Sequence, residues 1–142
     1  MNRIVMCLAA VSTSLLSMGA IAADLKVSIP NAKNNNGTIS AALWNTANGF
    51  PDKGDPKLVR LDNVKAGQNI LIFKDIDPAT YAISLFHDEN GNSELDTNFL
   101  GIPSEGYGFS NNATGSFGPA SFEDAAFQFE ATDLEMEISL IY

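Results

Sequence analysis

The chain has 142 residues, of which 45% are apolar and 18% charged, and a formal net charge of −9. That length suits one domain of ordinary size with a real core. The acidity argues against nucleic acid and against anionic membrane surfaces as partners.

At the N-terminus Arg3 supplies a positive charge, Ile4 to Leu16 is mostly apolar, and Ala20-Ile21-Ala22 closes the stretch with small residues at −3 and −1. This is the pattern of a secretory signal peptide over 1–22. The apolar run is shorter than the roughly 20 residues that span a bilayer. The expectation is an exported, periplasmic or secreted protein that is not an integral membrane protein once cleaved. Cleavage leaves 120 residues (142 less 22) without a cysteine, since Cys7 lies in the apolar run. The single domain expected over 23–142 must therefore hold together without disulfides, by its core or by a bound ion. Its charge is lopsided. Lys74 is the last basic residue, and from Asp75 to Tyr142 there are 13 acids and no Lys or Arg. Those carboxylates either face solvent or gather around a cation.

The mature chain reads as β throughout. Leu25, Val27 and Ile29 alternate with polar residues, as do Ile39, Ala41 and Leu43 ahead of Trp44. Leu58 to Val64 is a weaker strand. Gln68 to Phe73 is a compact apolar run, and Tyr81, Ile83 and Leu85 share one face of Thr80 to Phe86. Ala125 to Glu130 pairs Phe127 with Phe129, and Leu134 to Tyr142 alternates to the chain's end. Period-two alternation marks strands with one face buried. About seven such strands, separated by turns at 31–37, 51–56 and 76–80, predict an all-β antiparallel sandwich, immunoglobulin-like or prealbumin-like. Between Asn98 and Glu123 no strand is predicted. This stretch is rich in Gly and Pro but also holds Phe99, Tyr107, Phe109, Phe117 and Phe122. A long loop with five aromatics is expected to be ordered. Ser121 is placed to cap one helical turn within it.

The sharpest motif begins where the Tyr81 strand ends. Asp88, Asn90, Asn92 and Asp96 put oxygen-bearing side chains at positions 1, 3, 5 and 9 of a loop, and the Glu94 carbonyl falls at position 7. Calcium takes six to eight oxygens, and short alternating Asx side chains let a tight loop aim several inward. The loop departs from the helix-flanked calcium pattern. Gly91 stands at position 4 with Ser93 at 6, and Phe99 at position 12 replaces the bidentate acid. Water or Glu105 would complete the shell. The competing reading is an Asx-rich turn held by its own side chain–backbone bonds, binding no metal.

Other chemistry is thinly supported. With one His and no mature Cys, a structural zinc site is excluded in practice. His87 lies on the Leu85 face and reads as a packed residue. A small hydrolase using His87 or a carboxylate pair is the weakest alternative, with no nucleophile elbow behind it. Glu105, Tyr107, Phe109 and Asn111 are candidates for a ligand-binding surface. The opposing reading folds most of the aromatics back over one end of the sandwich.

The run FHDENGNSELDTNFLGIPSEGYGFSNNATGSFGPASFEDAAF, Phe86 to Phe127, closely resembles the bacterial family catalogued as domain of unknown function 2141. The resemblance covers nearly all the mature chain and implies an exported envelope protein with no established activity. Phe73 through Pro78 to Tyr81 also resembles the strand–turn–strand signature of prealbumin-like domains, with Ala79 in place of the usual Gly. The expected function is a binding or accessory module of the cell envelope, with calcium in its loop and an envelope protein or saccharide as partner. It is not expected to be an enzyme.

Overall fold

The computed structural model describes residues 22–130 and 132–142. The predicted signal peptide lies outside them, apart from Ala22. Eight strands follow in order: β1 (Ala23–Ala32), β2 (Thr38–Trp44), β3 (Lys57–Leu61), β4 (Gly67–Ile76), β5 (Ala79–Asp88), β6 (Gly106–Phe109), β7 (Phe127–Phe129) and β8 (Leu134–Glu137). A 3-10 turn (Ser110–Asn112) and one helical turn, α1 (Phe122–Ala125), separate β6 from β7. One sheet runs β4-β1-β8, and the other runs β3-β2-β5-β6 with β7 also on β5. Every pair is antiparallel except β1 with β8, which align in parallel from Leu25↔Leu134 to Ser28↔Glu137. The expected sandwich is therefore present with one parallel seam. Among the described residues no helix is long and apolar enough to cross a membrane.

The alternation builds the core. Leu25, Val27 and Ile29 of β1, Ile39 and Leu43 of β2, Leu71 and Phe73 of β4, and Ile83 and Leu85 of β5 form one buried cluster with Phe129, Ile138 and Leu140. The β1–β4 register sets Leu25 opposite Phe73 and Val27 opposite Leu71. Each such side chain contributes about 1.5–3 kcal/mol by leaving water. Tyr81 closes the β4–β5 turn through its hydroxyl, which donates to the Asp77 carbonyl at 2.9 Å across Pro78.

A second cluster is less visible in the sequence. Ala82 of β5 packs with Phe109, Ala120 and Ala125, with Phe50, Tyr107 and Phe122 against them. Phe50 is its hub, with ring centroids 5.7 Å from Trp44 and from Phe122 and 5.9 Å from Phe109. Tyr107, Phe109 and Phe122 thus fold back onto the domain, while Phe99 and Phe117 do not.

Three element boundaries differ from expectation. β6 lies inside the stretch predicted to hold no strand. The glycines of its Gly-Tyr-Gly-Phe sequence are poor strand formers, yet both are required. A Cβ on Gly106 would sit 2.5 Å from the Tyr142 ring, and one on Gly108 would sit 2.8 Å from the Ser139 carbonyl oxygen. The strand predicted from Ala125 begins only at Phe127, because Ser121 caps α1 by accepting the Asp124 N–H at 3.1 Å. The strand predicted to Tyr142 ends at Glu137. Residues 138–142 then cross between sheets as a strap: the Ile138 N–H reaches the Ser28 carbonyl at 2.9 Å, and Ile141 exchanges two backbone bonds with Tyr107 at 3.0 and 2.7 Å.

Candidate cation loop

The loop leaves β5 at Asp88, whose side chain is 0% exposed. One carboxylate oxygen accepts the N–H groups of Gly91 (2.7 Å) and Asn92 (3.1 Å), and the other accepts that of Ser93 (2.9 Å). These charge-assisted bonds wind the chain around the carboxylate. Asn90 and Asn92 each accept the N–H two residues on, at 3.0 Å, which is the Asx turn expected of them. Their amide nitrogens both donate to Asp96, at 2.5 and 3.0 Å. The structure therefore brings Asp88, Asn90, Asn92 and Asp96 together, as their spacing predicts. Glu94 is exposed, and its N–H is the one held by Asn92.

Two residues outside the motif lock it. Glu105 is 6% exposed and accepts the Glu89 N–H at 2.8 Å with one oxygen and the Asp96 N–H at 3.1 Å with the other. It bridges the loop's entry and exit. Gly37 has φ +63°, and a Cβ there would fall 1.7 Å from the Asp88 carbonyl oxygen, so only glycine fits.

The electrostatics are unbalanced. Among the described residues the ion pairs are Lys26–Glu135 and Arg60–Asp62. Neither involves a loop carboxylate, and of the loop's side chains Arg60 reaches the Ser93 hydroxyl alone, at 3.3 Å. Thr38 lies directly opposite Asp88 in the β2–β5 register, so the two side chains share a face. Its hydroxyl oxygen is the one buried side-chain polar atom among the described residues without a hydrogen-bond partner. No three His, Cys, Asp or Glu side chains gather at metal-holding spacing among the described residues. A cation here would depend on the two Asn oxygens and on backbone carbonyls as well as carboxylates.

The predicted ligand-binding surface needs correcting. Glu105 faces backbone N–H groups, Phe109 is buried, and Tyr107 is half-buried with its ring 6.1 Å from that of Phe109. The Asn111 amide donates inward to the carbonyls of Asp124 (3.1 Å) and Ala126 (2.8 Å). Phe109 and Tyr107 thus pack on the β5–β6 side of the sandwich, Asn111 braces the end of α1, and Glu105 braces the loop. Two shallow clefts, of about 260 and 330 Å³, lie beside Asp55, Asp75 and Tyr81 and beside Gly108, Asn112 and Ile141, and neither is lined by the loop.

His87 is fully buried, with Nδ1 2.8 Å from the Tyr142 hydroxyl and Nε2 2.8 Å from the Asn36 carbonyl oxygen. The Tyr142 oxygen already accepts the Lys33 N–H at 2.8 Å. Its proton therefore points to Nδ1, and Nε2 donates to Asn36. Burial pushes the Tyr142 phenol above its usual 10.0; the Lys33 N–H opposes this and Glu89 adds to it. Tyr142 as the partner of His87 was not readable from spacing, because 55 residues separate them.

The family model described as an uncharacterized protein conserved in bacteria, DUF2141, matches residues 27–137. No curated protein and no solved structure matches the chain. The match runs from within β1 to the end of β8 and contains the whole cation loop, so the chain belongs to this bacterial family.

Proposed function

We propose that the loop from Asp88 to Asp96 holds a calcium ion, and that the domain is an exported binding or accessory module of the bacterial envelope. The observation that carries this reading is the convergence of Asn90 and Asn92 on the Asp96 carboxylate, beside Asp88 and with no cationic side chain among the described residues paired to either acid. A divalent cation entering there replaces amide N–H donors with itself, and Asn90 and Asn92 offer it their oxygens. The orphaned Thr38 hydroxyl, on the Asp88 face, adds one more oxygen without a partner. Two carboxylates and two amides imply the modest affinity of extracellular modules, with Kd on the order of 10⁻⁴–10⁻³ M. Such a site fills where free calcium is plentiful, which accords with the export pattern of residues 1–22.

Thermal unfolding with 10 mM calcium and then with chelator tests this. Saturation at 10–100 times Kd stabilises by about 1.4–2.7 kcal/mol, which raises Tm by several degrees. Asp96→Ala removes the shift while the chelated proteins melt within about 1 kcal/mol of each other. An unchanged Tm sinks the metal reading.

A second reading rests on Asp88 itself. Its three backbone bonds already satisfy the buried carboxylate, so the loop is self-sufficient as an Asx-rich turn that braces β5. That reading predicts the same Tm with calcium and with chelator.

A further inference from the structure

We propose that Asn48 is a site of spontaneous deamidation, and that the fold confines this modification to one of three Asn-Gly bonds. The bonds are Asn36-Gly37, Asn48-Gly49 and Asn90-Gly91. In each, the glycine nitrogen can attack the side-chain amide carbon of the asparagine, because glycine neither shields that nitrogen nor restricts the rotation that brings it there. At Asn48 the Gly49 nitrogen bonds to Cγ, the Cγ–Nδ2 bond breaks, and ammonia leaves carrying the Gly49 amide proton. Water then opens the ring. Opening at Cγ gives aspartate. Opening at the main-chain carbonyl gives isoaspartate, which routes the chain through Cγ. Neither step needs an enzyme, an oxidant or a metal.

Backbone bonding separates the three sites. The attack turns the Asn-Gly peptide unit, so a hydrogen bond to that unit resists it. At Asn36 the carbonyl accepts from His87 Nε2 at 2.8 Å, and Gly37 packs so closely on Asp88 that no Cβ fits. At Asn90 the Gly91 N–H donates to the Asp88 carboxylate at 2.7 Å, and both ends of the side-chain amide are engaged, one by Asp96 and one by the Asn92 N–H. Asn48 is exposed. Among the described residues neither its carbonyl, nor its side-chain amide, nor the Gly49 N–H has a hydrogen-bond partner; only its own N–H is held, by Thr46. The Phe50 N–H closes onto the Ala47 carbonyl at 3.2 Å and Gly49 has φ +84°, so the Asn48-Gly49 peptide is the centre of a type II turn. That central unit rotates while the ends of the turn stay bonded. The cation loop is thus protected, with or without an ion, and the turn ahead of Phe50 is not. Isoaspartate lengthens the main chain just before Phe50, the hub between Trp44, Phe109 and Phe122, and so draws that ring out of place.

Mass-spectrometric peptide mapping, with fragment ions assigning each site, tests this on the chain as recovered from its host. The protein is aged for weeks in mildly alkaline buffer with chelator, folded and, in parallel, unfolded in urea. In urea the three sites should convert at comparable rates. In the folded protein Asn48 should keep most of its unfolded rate, while Asn36 and Asn90 slow about tenfold or more, because each must first break a backbone hydrogen bond. Asn48→Gln should abolish conversion at that position, since the larger ring closes far more slowly. Aged wild type should melt below fresh protein, and equally aged Asn48→Gln should not. Equal folded-state rates at the three sites, or a slowing of Asn48 as large as that of Asn36 and Asn90, would overturn the proposal. Protein converted at Asn48 that melts with the fresh protein, or an equal fall in the aged variant, would overturn the link to Phe50.

Discussion

At the scale of single residues, two buried carboxylates organise the loop. Asp88→Ala strips the acceptor from three N–H groups, and Glu105→Ala strips it from two. Some of these donors will find water, so the expected losses are about 3–5 kcal/mol and about 2–4 kcal/mol. Urea unfolding in chelator measures both, and losses under about 1 kcal/mol would mean the loop does not depend on them. Tyr142 gives a pH prediction. Its phenol titrates above 10.0 in the folded protein because burial disfavours the phenolate. The unfolded state then loses its proton first, so stability is whole below about pH 10 and falls as pH rises through the folded value. Tyr142→Phe should flatten that alkaline fall. An unaltered slope would mean the hydroxyl is not sequestered. The spacing of the Asx residues made the loop legible because its partners lie within nine positions. Thr38 and Gly37 were not legible, because strand register alone brings them to Asp88.

At the scale of elements, period-two alternation located β1, β2 and β5, where one face is buried and the other is wet, and a compact apolar run located β4. It failed for β6, whose two glycines carry no hydrophobic signal. They are there because the strap at 138–142 lies directly on them. Alternation also ran past the end of β8, since Ile138 and Leu140 stay buried after the strap leaves the sheet to run beside β6. A buried pattern therefore outlasts the strand that began it. The contact between Gly106 and Tyr142 can be isolated. Gly106→Ala puts a methyl group 2.5 Å from the Tyr142 ring and should cost about 1–3 kcal/mol. In a Tyr142→Ala background the same change should cost under about 0.5 kcal/mol, and equal costs in both backgrounds would show no coupling.

At the scale of the molecule, charge is divided along the chain but mixed in space, since the acidic β8 pairs with β1 in the sheet that holds β4. Residues up to Lys74 are mildly basic, and everything after them is acidic. Sequence reading anticipated a cation as one outlet for that acidity. It also weighed Tyr107 and Phe109 as part of a ligand surface against the aromatics folding back over one end of the sandwich, and the second core cluster takes the latter course. Tyr107, Phe109 and Phe122 cover Ala82 and Ala125 on the far side of β5, because a sheet with two apolar faces must bury both. What stays exposed is Phe117 and the tip at Phe99, which spacing did not single out because an aromatic in a loop looks the same whether it packs inward or projects. The central claim concerns the loop at the base of that tip. Its most direct test is a calorimetric titration of the chelator-stripped protein with calcium, beside Asp96→Ala. The account predicts one ion per chain with Kd on the order of 10⁻⁴–10⁻³ M and no binding by the variant. Titration heats that match buffer alone in the wild type, or equal binding by both proteins, would contradict it.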